Sequence, residues 1–226
     1  MPETWRVAVI DSGLSPGDGR LVADSRRFVD TGTEVVQLAP EPDPIGHGTR
    51  VARIIDSAST CEFLVAQVID ASRRTTPAAV AAAVRWAVAA RAQLIHLSLG
   101  LHEDRPVLAD AVAEVLAAGC VLVASSPARG DRTYPAAYPG VIRATGDARC
   151  AAGEISVLQT AQADFGAAPA LPGQAVAGAS IGAAYLSAFI CQNLSPGLDA
   201  QSIRTRLAAL ARYHGPERHS APNGGL

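Results

Sequence analysis

The sequence predicts an α/β fold in which a mainly parallel β-sheet carries helices on both of its faces. Short apolar runs alternate along the chain with longer segments of helical periodicity, as they do when helices connect parallel strands. Polar residues able to do chemistry follow the first of these runs and occur again at two predicted helix starts. Since open α/β sheets place their sites at the carboxyl ends of the strands, we expect these residues to mark the site.

Composition is typical of a globular protein with one domain. The chain has 226 residues, of which 49% are hydrophobic but only 4% aromatic, so Ala, Val, Leu and Ile must build most of the core. The formal net charge of −2 gives no electrostatic basis for binding nucleic acid or an anionic membrane. We expect a single domain over residues 1–213 and a loose tail over residues 214–226, where Pro, Gly and Asn occur without periodicity.

The first 90 residues contain two predicted strands and two predicted helices. An apolar run predicts a buried first strand, and apolar residues fall on one side of the segment that begins at His47. Thr76 is a suitable N-cap, and Pro77 is a suitable first residue, for the longer helix that follows. The predicted elements are strands over Arg6–Ile10 and Phe63–Ile69, and helices over His47–Asp56 and from Thr76 to about Ala90.

Strands and helices continue to alternate after residue 90. Pro106 opens a helical pattern that Gly119 closes. The last two helical segments are an Ala-rich one and an amphipathic one. The predicted strands are Gln93–Leu97, Cys120–Ala124 and Val141–Thr145. One predicted helix starts at Pro106. A second is led into by Gly173–Ala184 and ends near Asn193, and a third covers roughly Asp199–Arg212.

Asp11 follows four apolar residues and so should lie at the carboxyl end of a central strand. A carboxylate in that place can orient a histidine and stabilise its protonated form. Taken alone, an acid before Ser12-Gly13 is also typical of a turn or of a helix cap. Asp11 is therefore a candidate catalytic residue only in combination with other catalytic residues.

His47 lies between Gly46 and Gly48 at the start of a helical pattern. Its imidazole could take the proton of a serine hydroxyl and later return it to a leaving amine. The flanking glycines would let a substrate backbone approach the ring. A capping or surface histidine is the alternative, but the string Gly46-His47-Gly48-Thr49 is far more specific than a lone histidine.

Ser180 begins the Ala-rich helix, directly after Gly178-Ala179. A nucleophile at a helix N-terminus has its own backbone N–H aimed at a developing oxyanion, and the helix dipole favours negative charge there. An N-cap serine is the common structural alternative.

The order Asp11, His47, Ser180, with the motifs around each residue, resembles that of the subtilisin-like serine proteases, and the resemblance runs from about Arg6 to about Leu194. It implies a subtilisin-like fold with these three residues as a catalytic triad. It also implies that Ser98, Leu99 and Gly100 form an edge segment pairing with the substrate backbone. The segment Arg73–Thr75 would face that edge, either favouring acidic substrate residues or forming only a solvated loop.

The chain departs from the family pattern at the group that stabilises the oxyanion. In family members, the strand that corresponds to Cys120–Ala124 is followed by an Asn whose side chain donates a hydrogen bond to the oxyanion. Residues 123–131 of this chain contain no Asn. Ser125, Ser126, Arg129 or a backbone N–H would have to replace it, and the loss of such a donor lowers kcat on the order of 10²–10³. His96 stands where the family usually has Asn, and Ala179 stands where it has Thr.

These motifs predict a serine endopeptidase that forms an acyl-enzyme on a polypeptide substrate. The sequence retains the triad motifs but lacks other parts of the family pattern. In this it resembles maturation proteases that remove a leader peptide from one dedicated partner protein, which implies narrow specificity. A peptide-binding module or chaperone with impaired catalysis is the alternative from another class. An esterase or peptide ligase that uses the same nucleophile also remains open.

Further features bear on location and cofactors. The N-terminal residues lack a basic start followed by an apolar run, and no apolar stretch is long enough to span a bilayer, so we expect a cytoplasmic protein. The four widely spaced cysteines are expected to be reduced thiols. No run of oxygen ligands predicts a calcium site, and neither a metal nor another cofactor is implied.

Overall fold

The computed structural model describes residues 4–17, 21–57, 61–173 and 178–217, and a ten-stranded sheet forms its centre. The strands are β1 (Arg6–Asp11), β2 (Val22–Asp30), β3 (Val35–Leu38), β4 (Glu62–Gln67), β5 (Leu94–Leu97), β6 (Val121–Ser125), β7 (Ile142–Gly146), β8 (Ile155–Val157), β9 (Phe165–Ala167) and β10 (Tyr213–His214). Their order across the sheet is β10-β8-β9-β7-β6-β5-β1-β4-β2-β3. Only the pairs β2–β3 and β8–β9 are antiparallel among the described pairs. The predicted mainly parallel sheet is confirmed.

Helices cover both faces of the sheet, as predicted. They are α1 (His47–Asp56), α2 (Pro77–Ala89), α3 (Pro106–Ala117), α4 (Ala179–Asn193) and α5 (Ala200–Leu210). Side chains alternate between the two faces along each strand, so Val7 and Val9 join the core under α1, α4 and α5. Ala8 and Ile10 join the other core, under α2 and α3. Each central strand is therefore buried on both sides, which explains why its sequence is mostly apolar.

The elements that the sequence did not predict lie at the two ends of the sheet. Strand β2 carries several charged residues and is largely accessible, and β8 and β9 have only three residues each, too few to show a period. The prediction of a loose tail from residue 214 is wrong at its start, because His214 pairs with Val157 and the N–H of Gly215 donates to the Val157 carbonyl. Residues 218–226 lie outside the described residues.

The register of the parallel strands brings three polar residues to one edge. Ile10 in β1 pairs with Leu97 in β5, and Leu97 pairs with Ala124 in β6. The residues that follow, Asp11, Ser98 and Ser125, therefore lie side by side where these strands end. This is the carboxyl edge at which open α/β sheets hold their sites. Among the described helices, none is long and apolar enough to cross a membrane.

Candidate active site

Asp11 and His47 are in direct contact at the end of β1. Asp11 is 1% exposed, and both of its carboxylate oxygens lie within hydrogen-bond distance of His47 Nδ1, at 2.8 and 2.9 Å. The backbone N–H of Ser12 also donates to Asp11 Oδ1 at 2.7 Å. With Nδ1 facing a carboxylate, the imidazole is oriented so that Nε2 is the nitrogen left to act on another group.

Gly48 explains how helix α1 comes close enough to β1 for this contact. A Cβ atom at Gly48 would lie 2.4 Å from the carbonyl oxygen of Gly13 and 3.2 Å from Asp11 Cβ. Only glycine therefore lets the first turn of α1 pack on the turn that follows β1. Gly46, the residue before the helix, has a φ of +69°, which also favours glycine. The sequence indicated room for substrate at these glycines, whereas at Gly48 the structure shows helix–strand packing.

Asp43 stabilises the turn before α1, and no sequence motif indicated this role. Its carboxylate accepts hydrogen bonds from the backbone N–H groups of Ile45, Gly46 and Thr49 and from the hydroxyls of Ser12 and Thr49. Burial acts to raise the pKa of Asp43, but the hydrogen bonds outweigh burial and the pKa is lowered. An ionised Asp43 thus ties the start of α1 to the end of β1.

The electrostatic surroundings of His47 favour its protonated form. The hydrogen bond with Asp11 raises the pKa of His47 above its ordinary value of 6.5, against the opposing effect of burial. The negative charges of Asp11 and Asp43 act in the same direction, and Arg50 opposes them. The imidazole is therefore suited to hold a proton taken from a nearby hydroxyl.

Ser180 is the second residue of α4 and is half-buried. Its hydroxyl donates a hydrogen bond to the carbonyl oxygen of Ser98 at 3.1 Å. Within the described chain, the structure shows no hydrogen bond between Ser180 and His47. Asp11 is therefore hydrogen-bonded to His47, and Ser180 to Ser98, but among the described residues no hydrogen bond connects one pair to the other.

Gly182 positions the start of α4 over the sheet. A Cβ atom there would lie 2.2 Å from the carbonyl oxygen of Thr145 and 2.6 Å from the backbone nitrogen of Gly146. The helix therefore touches the backbone of β7 directly at this point. This close packing holds the first turn of α4, and with it Ser180, at the carboxyl edge of the sheet.

Gly100, the last residue of the segment Ser98–Gly100, lines a cavity of about 390 Å³ beside the start of α4. Leu99 is buried in the core under α2 and α3, so only the main chain of this residue is available to a ligand. Gly100 lies against Thr133, whose hydroxyl oxygen is buried and has no hydrogen-bond partner among the described residues. Residues that line the cavity include Gly100, Ser125, Ser126, Arg129, Thr133 and Ala179.

Ser125 and Ser126 differ in what they can offer to the cavity. The hydroxyl of Ser126 donates to the Gln162 carbonyl at 2.7 Å, and its backbone N–H donates to the Ala144 carbonyl at 2.8 Å. Both donors of Ser126 are therefore in use. The hydroxyl of Ser125 makes no hydrogen bond with any described residue, so it is the more available of the two.

The segment Arg73–Thr75 contributes to a different cavity. Arg74 forms an ion pair with Asp70 at 3.6 Å, and Arg74 and Thr75 line a cavity of about 480 Å³ together with Arg27 of β2. Neither residue is among those that line the cavity beside α4. The four cysteines are buried, and they are thiols rather than halves of disulfide bonds. In the part of the chain that the structure describes, no cluster of three His, Cys, Asp or Glu residues could hold a metal ion.

Comparison with solved structures identifies the fold. Sphericase superposes with a TM-score of 0.66 and 19% sequence identity, covering 92% of this chain and 84% of that structure. A psychrophilic protease superposes with the same TM-score and 18% identity, covering 90% and 82%. The chain has the subtilisin-like fold. No protein-family model matches the chain.

The curated relatives include proteases that are named as subtilisin or as subtilisin-like. The minor extracellular protease Epr of Bacillus subtilis (strain 168) is 30% identical over 150 residues, which are 61% of this chain and 22% of that protein. Subtilisin DY of Bacillus licheniformis is 24% identical over 91% of this chain and 83% of its own length. A subtilisin-like protease of Podospora anserina is 32% identical over 58% of this chain and 36% of that protein. These matches support the subtilisin-like family, although the chain spans only about a fifth of the length of the first relative.

Proposed function

We propose that the chain is a serine endopeptidase with Asp11, His47 and Ser180 as its triad. The observation that carries the proposal is the contact of both Asp11 carboxylate oxygens with His47 Nδ1, at the same sheet edge as Ser180. Ser180 Oγ attacks the peptide carbonyl carbon while His47 Nε2 takes its proton. His47 then gives that proton to the amine, which leaves as the C–N bond breaks. Water hydrolyses the acyl-enzyme by the same proton transfer in reverse.

Attack requires the Ser180 hydroxyl to turn from Ser98 towards His47. The hydroxyl now donates to the Ser98 carbonyl, and His47 Nε2 has no partner among the described residues. Rotation about the Cα–Cβ bond moves Oγ between staggered positions at small cost. A substrate N–H that pairs with the Ser98 carbonyl would compete for this acceptor. Substrate binding would therefore release the hydroxyl for His47.

Two donors would stabilise the oxyanion. The backbone N–H of Ser180 lies in the first turn of α4, where a helix supplies no acceptor of its own. We assign the second donor to the Ser125 hydroxyl, because it lines the adjacent cavity and both donors of Ser126 are in use. A hydroxyl in place of the family's Asn implies slower turnover than that of a digestive relative.

The substrate that fits best is a polypeptide with one preferred cleavage site. A slow enzyme suits the removal of a leader peptide from one dedicated partner protein, and we place this processing in the cytoplasm. Among such enzymes, this chain resembles, in its size and in its reduced family pattern, the small intracellular protease associated with maturation of the quinohemoprotein amine dehydrogenase small subunit.

A peptide-binding module is the second candidate function. The hydrogen bond of Ser180 to Ser98 instead of His47, together with the absent Asn, favours it. Such a protein would bind an extended peptide along Ser98–Gly100 without cleaving it. A chemical test of the nucleophile separates the two functions.

Fluorophosphonate labelling followed by intact mass and peptide mapping is the direct test. We expect one adduct on Ser180, no adduct in Ser180→Ala and a strong reduction in His47→Ala. Ser195→Ala removes an exposed serine just beyond the far end of α4 from Ser180 and should label like the wild type. A folded wild-type protein that takes no adduct would contradict the peptidase. Retained binding of an extended peptide would then establish the binding module. If the protein does react with the fluorophosphonate, hydrolysis of esters but not amides by an untreated sample would indicate an esterase.

A further inference from the structure

His96 is a polar residue in the centre of the sheet. It lies in β5, is fully buried, and pairs with Val9 of β1 on one side and Val123 of β6 on the other. An imidazole in such apolar surroundings is destabilising unless both of its nitrogens find hydrogen-bond partners. Its partners therefore show what the residue contributes.

Both ring nitrogens of His96 are hydrogen-bonded to serine hydroxyls. Nδ1 lies 2.9 Å from Ser187 Oγ, and Nε2 makes a short contact with Ser98 Oγ. Burial, with a smaller effect from the charge of His47, lowers the pKa of His96 to about 3. The ring is therefore neutral at physiological pH, so one nitrogen donates and the other accepts. A hydroxyl can play either role, which makes two serines suitable partners for a neutral imidazole.

These partners connect His96 to the nucleophile along two paths. Ser187 and Ser180 are seven residues apart in α4 and so lie on the same face of the helix. Ser187 contacts His96, while Ser180 contacts the carbonyl of Ser98 two residues further along the chain. The side chain of Ser98 is itself bonded to His96. One side chain thus holds both the helix that carries Ser180 and the main-chain oxygen that Ser180 contacts.

We propose that His96 is a positioning residue that sets the depth and rotation of α4 and thereby places Ser180 for attack. The inference rests on the proposed function, in which Ser180 is the nucleophile. Replacement of His96 by an apolar residue would leave the fully buried hydroxyl of Ser187 without a partner. The helix would then shift or rotate to satisfy it, and a displacement of about 1 Å at a reacting atom costs about 10²-fold in rate.

Ser187→Ala is the sharpest test because it removes one hydroxyl far from the reacting atoms. We expect the second-order rate constant for fluorophosphonate labelling of Ser180 to fall at least tenfold. The pH at which labelling is half-maximal should stay unchanged, because Asp11 and His47 are untouched. Ser156→Ala is the matched control: Ser156 is also fully buried, but its hydroxyl donates to Asp147. It should lower the thermal midpoint without slowing labelling more than twofold.

Substitutions of His96 itself supply a rescue. His96→Leu should slow labelling most, whereas His96→Asn keeps a polar atom near the position of Nδ1 for Ser187 and should restore part of the rate. Circular dichroism checks that each variant is folded. Wild-type labelling rates in folded Ser187→Ala and His96→Leu would overturn the positioning role.

Hydrogen exchange keeps the inference testable if the wild type takes no label, a result that would count against the peptidase alone. Amides of residues 182–186 in α4 should exchange faster in Ser187→Ala than in the wild type or Ser156→Ala, because the helix has lost its anchor on β5. Unchanged exchange there would overturn the role of His96.

Discussion

The hydroxyl of Ser180 is held by the carbonyl oxygen of Ser98 at 3.1 Å. This hydrogen bond occupies the main-chain oxygen that a substrate N–H would use and keeps the hydroxyl from His47. The fold therefore contains a formed Asp11–His47 pair and a serine that is near the same edge but engaged elsewhere. In the proposed mechanism, binding of an extended peptide along Ser98–Gly100 would supply the physical reason for the serine to change partner.

Asp11 both orients His47 and raises its pKa, and loss of the Asp11 carboxylate should make each effect measurable. In Asp11→Asn, kcat/KM should fall on the order of 10³–10⁴, because the imidazole loses the partner that orients it and stabilises its charge. In the wild type, activity rises as His47 loses its proton, so the acid limb should have its midpoint above pH 6.5. In the variant that midpoint should move down. A pH profile of labelling or hydrolysis measures both, and an unshifted midpoint would contradict the assignment.

Ser125 and Ser126 form a matched pair for locating the oxyanion donor. Ser125→Ala should lower kcat on the order of 10²–10³ with little change in KM, as expected for a donor used in the transition state. Ser126→Ala should act mainly on stability, by about 1 kcal/mol, because it removes the hydrogen bond to the Gln162 carbonyl. Steady-state kinetics with thermal unfolding distinguishes the two. A larger kcat loss in Ser126→Ala would reverse the assignment.

Thr133→Val should change specificity without destabilising the fold. Thr133 lines the cavity beside the start of α4, and its hydroxyl is buried against Gly100 and unpartnered among the described residues. Valine has nearly the same shape, so the free energy of unfolding should stay constant or rise by about 1 kcal/mol. A methyl group would replace one hydroxyl in the lining of the cavity, so cleavage should shift towards apolar side chains before the cut bond. Sequencing the products of a peptide library checks the shift, and an unchanged profile would exclude Thr133 as a determinant.

The sequence predicted those features that follow from local pattern. Helix α1 has the predicted bounds of His47–Asp56, and Asp11 ends a central strand as its apolar run required. The sequence could not show which hydroxyls are free, since that depends on contacts distant along the chain, such as that of Ser126 with Gln162. Asp43 was missed because its part in tying α1 to β1 depends on the hydroxyl of Ser12, which is 31 residues earlier in the chain. His96 was noticed only as a departure from the family pattern, and its role depends on Ser187, which is 91 residues further along the chain.

Acid should destabilise the protein partly through His96. Its pKa is near 3 in the folded chain but about 6.5 when unfolded, so between these values the unfolded chain binds the extra proton. The free energy of unfolding should therefore fall with decreasing pH, by up to about 1.4 kcal/mol per pH unit from this group. His47 does not oppose this, because its raised pKa gives stability that is already complete below pH 6.5 and is lost as pH rises.

The carboxylates of Asp43, Asp147 and Asp164 have lowered pKa values and also lose stabilising ionisation in acid, so the wild-type curve alone cannot isolate His96. Denaturant unfolding of wild type and His96→Asn as a function of pH does so, because the asparagine does not titrate. The difference between the two proteins in free energy of unfolding should shrink steadily as pH falls below 6.5. A constant difference would mean that His96 is protonated, or not buried, in the folded chain.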